Sequence, residues 1–127
     1  MLSRPLTALA LVGVAATSLG CQNEANNGSG ARGALAGFLR TCNRGQGPLA
    51  QQLVVPAARG RFVAAAGTEA GCATVLGLDP GTSLGGVRIA RVSAGDGRGQ
   101  AVIVVGAARV RIDLALTRDG WRIEGSS

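Results

Sequence analysis

Two hydrophobic periods divide this chain. In residues 31–44 apolar side chains fall at Leu35, Phe38, Leu39 and Cys42, three and four positions apart, which is the stripe of an amphipathic helix. Gly45 stops it. Gly47-Pro48 makes a turn, and the proline suits the first position of a short second helix through Leu49 and Leu53. Pro56 opens a further helix through Phe62 and Val63 that ends at Gly67. Thr68 is a candidate N-cap for the next helix, Glu69 complements its positive end, and Cys72, Val75 and Leu76 share one side of it. Leu78-Asp79-Pro80-Gly81 breaks the helical pattern.

From residue 84 the period is two. Val87 to Val92 is strand-like, but Arg91 falls on the Val87/Ile89 face, a conflict that a bulge or an edge position resolves. Gly95-Asp96-Gly97-Arg98-Gly99 is a loop. Gln100 to Val105 is β-branched and apolar on both faces, which predicts a central strand covered on both sides. Val110, Ile112, Leu114 and Leu116 then alternate with Arg109, Arg111, Asp113 and Thr117. Asp119-Gly120 is a hairpin signal, and Trp121 and Ile123 alternate with Arg122 and Glu124 in a last strand. Helices followed by about four antiparallel strands predict an α+β domain over residues 31–127, with the helices on one face of the sheet.

The segment before this domain has a different character. Arg4 precedes an apolar run from Leu6 to Leu19, small residues follow, and then comes Cys21. This is the order of a secretory signal peptide over residues 1–20. The run is shorter than the roughly 20 residues of a membrane span. Ser18-Leu19-Gly20-Cys21 resembles the lipobox of bacterial lipoproteins, in which the cysteine after the cleavage site receives a diacylglycerol. Gly20 and Cys21 fit that pattern, whereas Leu19 departs from its usual small residue. Ser18-x-Gly20 also satisfies ordinary secretory cleavage. Residues 21–30 are polar and read as the tether of a lipid-anchored domain. The expected location is the outer face of the cytoplasmic membrane, with a secreted soluble protein as the alternative.

Three cysteines leave one unmatched in an exported chain. If Cys42 and Cys72 pair, the unmatched one is Cys21, where lipid would consume it; the alternative is two buried free thiols. An oxidising compartment permits the bridge.

Composition narrows the chemistry. There is no His, so no imidazole base, no Ser–His or Cys–His pair and no histidine-ligated metal. No Tyr and only two Phe leave little for stacking bases. Every one of the 13 basic residues is Arg, against seven acidic ones, for a formal charge of +6. Arginine without lysine, beside so much Ala, Gly and Val, reads as the codon bias of a GC-rich genome. The arginines form no run, and no nucleic-acid partner, metal or cofactor is expected. Gly95-Asp96-Gly97-Arg98-Gly99 lacks the following helix that a phosphate loop requires.

The chain as a whole resembles small actinobacterial lipoproteins with a nuclear-transport-factor-2-like domain. The resemblance rests on Cys21, on Ala36-Gly37-Phe38-Leu39-Arg40-Thr41-Cys42, and on Val55-Pro56-Ala57-Ala58-Arg59. It continues through Gly71-Cys72-Ala73-Thr74-Val75-Leu76, Ala101 to Val105, Val110 to Leu114 and Arg118 to Ile123. It implies a curved sheet wrapped against helices into a cone with a cavity, and Phe38, Phe62, Leu114 and Trp121 are its candidate walls. It implies no activity.

Three functions are expected on these grounds. The first is a non-enzymatic, lipid-anchored envelope protein that binds a small apolar ligand or another envelope protein through the cone. The second is a cone-type isomerase or hydratase using a buried carboxylate. Its candidates are Glu69, Asp79, Asp96, Asp113, Asp119 and Glu124, of which mid-strand Asp113 is foremost, although its face also carries Arg109 and Arg111 and a cross-strand ion pair explains that residue as well. The third is a surface module using a basic sheet face of Arg88, Arg109, Arg111 and Arg122.

Overall fold

A computed structural model describes residues 28–127. The signal segment, Cys21 and the tether as far as Asn27 lie outside the described residues. Helix α1 (Gly28–Asn43) buries Ala31, Leu35, Phe38, Leu39 and Cys42, the stripe expected from its spacing. It begins three residues earlier than the pattern indicates, so Gly28-Ser29-Gly30 belongs to the domain. Gly45 ends this region at φ +68°, a conformation glycine adopts without a Cβ penalty.

Three short helices follow: α2 (Gly47–Gln52), α3 (Arg59–Val63) and α4 (Thr68–Val75). Two corrections apply here. Pro56 opens a 3-10 turn, Pro56–Ala58, that leads into α3. Thr68 is the first residue of α4, behind an N-cap at Gly67, and its side chain makes no capping bond. Cys42 of α1 and Cys72 of α4 are joined by a disulfide with Cα atoms 6.2 Å apart.

The strands β1 (Arg88–Gly95), β2 (Arg98–Val105), β3 (Ala108–Thr117) and β4 (Gly120–Ser126) form an antiparallel meander in sequence order. The sheet curls only weakly. Its first turn is Asp96-Gly97, with φ of +54° and +75°, the signs that a type I′ hairpin needs. The segment expected as a loop is therefore a tight hairpin, and Gly95 pairs with Arg98. The outer edge of β4 is covered: Val55 N–H donates to the Ile123 carbonyl at 2.9 Å, and Ile123 N–H donates to the Leu53 carbonyl at 2.8 Å. Arg59 holds that covering segment by donating from Nε to the carbonyls of Gln51 and Val54.

One face of the sheet meets the helices. Ala101, Ile103, Ile112, Leu114, Trp121 and Ile123 point into a single core with Leu35, Phe38, Phe62, Val75 and Leu76. Among the described residues no polar or charged side chain is buried. Gly99 lets this packing close, because a Cβ there would sit 3.2 Å from Trp121 Cζ3 and 3.4 Å from Ala31 Cβ. Gly99→Val therefore overpacks the contact between α1 and the sheet. The expected loss is about 1–3 kcal/mol. A thermal melt measures it, and emission from the single tryptophan should shift to the red as Trp121 is displaced.

Among the described residues no helix lies on the other face of the sheet. This overturns the expectation that β2 is covered on both sides: Val102 and Val104 lie on the open face and are half-buried. Their neighbours on the adjoining strands are arginines, whose aliphatic stems can cover apolar surface while the charge stays in water.

Candidate functional site

Alternation decides what the open face presents. On β3, Arg109, Arg111 and Asp113 are two residues apart and share it, while Val110, Ile112 and Leu114 turn inward. On β1, Arg88 and Arg91 are three apart, a spacing that in a regular strand points them to opposite faces. The register shifts between Ile89 and Arg91, so one residue of β1 is unmatched by β2. This bulge turns Arg91 outward and keeps Ile89 and Val92 facing the core. The conflict in the hydrophobic pattern is thus resolved both by a bulge and by an edge strand.

The register then sets two parallel rows. Arg88, Val104 and Arg109 lie side by side across β1, β2 and β3, and Arg91, Val102 and Arg111 form the adjacent row. With strands about 4.8 Å apart, the arginines of each row stand roughly 10 Å apart across a valine. A third row of Ser93, Gln100 and Asp113 follows. Arg98, Arg122 and Glu124 lie toward the far end of the face.

The charges are unevenly distributed. Among the described residues one ion pair forms, between Arg98 Nη1 and Glu124 Oε1 at 3.7 Å, and it is solvent-exposed and so of small energetic weight. The ion pair expected for Asp113 with Arg109 or Arg111 is absent: Asp113 sits opposite Gln100, in the row beyond Arg111. Arg88, Arg91, Arg109 and Arg111 therefore form an exposed quartet with no carboxylate in its two rows.

Two shallow depressions mark this face. One, of about 190 Å³, is lined by Arg91, Ser93, Gln100, Val102 and Arg111. The other, of about 260 Å³, is lined by Arg98, Gly99, Gln100, Asp113, Leu114 and Glu124. The first offers guanidinium, hydroxyl and amide donors, a set suited to holding an anion, whereas the second carries the carboxylates of Asp113 and Glu124, which oppose one.

The expected wall residues lie elsewhere. Phe38, Phe62, Leu114 and Trp121 are all at most 8% exposed and pack in the common core. Leu114 also borders the second depression. Cys42 and Cys72 are bonded, and Cys21 is outside the described residues. The basic face expected from Arg88, Arg109, Arg111 and Arg122 gains Arg91, which the bulge turns outward, and Arg98, expected in a loop. The odd spacing of Arg88 and Arg91 marks a conflict in the pattern, and the register of β1 on β2 resolves it. Among the described residues no three Cys, Asp or Glu side chains gather as metal ligands, and no helix is long and apolar enough to cross a membrane. No protein-family model, no curated protein and no solved structure matches this chain.

Proposed function

We propose that this chain is an exported, lipid-anchored and non-enzymatic binding protein that works through the open face of its sheet against an anionic membrane surface. The observation that carries the reading is the exposed quartet Arg88, Arg91, Arg109 and Arg111, with no acidic residue in its rows. The leader and Cys21 support the membrane location, and the formal charge of +6 adds long-range attraction to anionic surfaces. An apolar ligand behind the sheet would require Phe38, Phe62, Leu114 and Trp121 to part. A cone-type isomerase would require a carboxylate in an interior where, among the described residues, no charged side chain is buried. The reading therefore follows the face that is already open.

Two measurements test it. Intact mass of the protein from its native membrane fraction should show a chain that begins at Cys21 with added acyl mass and gains two hydrogens on reduction. An unmodified chain in the soluble fraction would remove the anchor from the reading. The Cys21→Ser chain, lacking the acyl group, should co-sediment with vesicles in proportion to their anionic lipid content. That binding should weaken as salt rises, because exposed charges are screened. Binding that ignores anionic lipid content would overturn the role given to the arginine face.

A further inference from the structure

We infer that the depression between Arg91 and Arg111 is a site for the phosphate group of an anionic phospholipid. This deepens the reading above and rests on it. The two guanidinium groups rise from β1 and β3 on either side of Val102, and Ser93 and Gln100 close the depression along the strand direction. Guanidinium forks make paired, charge-assisted hydrogen bonds to phosphate oxygens, and two of them roughly 10 Å apart at their backbones can reach one anion between them. The serine hydroxyl and glutamine amide supply further donors. The valine floor offers no acceptor to compete for the guanidinium groups, and the nearest carboxylate, Asp113, stands at the β3 end of the Ser93–Gln100 row and forms no ion pair with Arg111.

The place where the anchor meets the domain selects the source of the phosphate. A Cβ on Gly28, the first described residue, would lie 3.3 Å from the Val92 carbonyl oxygen and 3.9 Å from the Ser93 Cα. The chain therefore enters the domain against the edge strand that carries Arg91 and Ser93. From Cys21 to Gly28 the backbone reaches at most about 25 Å, whatever its conformation. A lipid on Cys21 keeps the Arg91 edge of the sheet within that distance of head groups.

Vesicle partition of the chain from residue 21 onward, with Cys21→Ser, tests the assignment, with phosphatidylglycerol as the anionic lipid and phosphatidylcholine as the neutral control. Arg91→Gln with Arg111→Gln should lower partition by more than the about thirtyfold that charge alone accounts for, at roughly fivefold for each basic residue at the surface. Arg91→Lys with Arg111→Lys keeps the charge but removes the fork, and should still lose severalfold. Arg88→Gln with Arg109→Gln should lose less than the first pair. All these positions are exposed, and circular dichroism verifies that each variant is folded. Equal losses from both glutamine pairs, with the lysine pair unchanged, would overturn the site while leaving the basic-face reading intact. No partition of the parent chain to anionic vesicles would overturn both. Saturable binding of inorganic phosphate to Arg91 and Arg111, without vesicle partition, would overturn the assignment to a lipid.

Discussion

Replacing Cys42 and Cys72 together by alanine should lower the stability of the domain by about 3–4 kcal/mol, the chain-entropy value for a closed loop of this length. The bridge spans 30 positions of sequence. Within the loop lie α2, α3 and the Pro56–Ala58 turn, of six, five and three residues. Helices of that length have no independent stability in water, so their order depends on what the ends of the loop are attached to. One end is α1, which lies on the sheet, and the other is α4. Cutting the bridge frees the whole helical layer except α1 to explore unfolded conformations. For a domain near 100 residues the midpoint of thermal unfolding should fall by roughly 15–30 °C. A melt of the parent chain with and without reductant, beside the double variant, measures this. A shift under about 5 °C would show that packing on β4 and α1 holds the layer without the bridge.

Phe38→Ala should be nearly as damaging, at about 3–5 kcal/mol. Phe38 is fully buried at the middle of α1, between the sheet and the helical layer, and the domain has only one other phenylalanine and one tryptophan to fill space. Removing the ring sacrifices its burial and leaves a cavity that the small residues of the same core, such as Ala73 and Ala101, are too short to fill. Phe38→Leu retains most of the volume and should cost far less. Denaturant unfolding of the two variants separates the cases. A loss below about 1 kcal/mol for alanine would mean that Phe38 borders space rather than filling it, which would return the apolar pocket to consideration. Phe38 and Cys42 are one helical turn apart, so the two perturbations will not add simply. With total stabilities of about 5–15 kcal/mol for domains of this kind, a chain carrying both should be largely unfolded.

These results bear on how a basic sheet face is made. Most of its arginines could be read as outward from alternation, since Arg109 and Arg111 stand between Val110 and Ile112 in a strand with clean period two. Arg91 could not. Its side is set by the unmatched residue between Ile89 and Arg91, and a bulge is a property of the pair of strands rather than of either one. The same holds for Val102 and Val104. Their apolar character predicts cover, but among the described residues the sheet has helices on one side only, and the arginines of β1 and β3 flank the valines on the other.

By itself, then, the sequence determined the local elements and their order. The stripe Leu35, Phe38, Leu39 and Cys42 made α1, the alternation from Val110 to Leu116 made β3, and Asp119-Gly120 marked the last hairpin, because side-chain periodicity and backbone sterics act over a few residues. Tertiary structure decided what depends on partners distant in the chain. The bond between Cys42 and Cys72, the cover given to β4 by Leu53–Val55, the filling of the interior by Phe38, Phe62, Leu114 and Trp121, and the meeting of Arg91 with Arg111 across Val102 all follow from strand register and helix placement. No short stretch of residues encodes a register, because it is settled by the combined burial of every strand and helix at once.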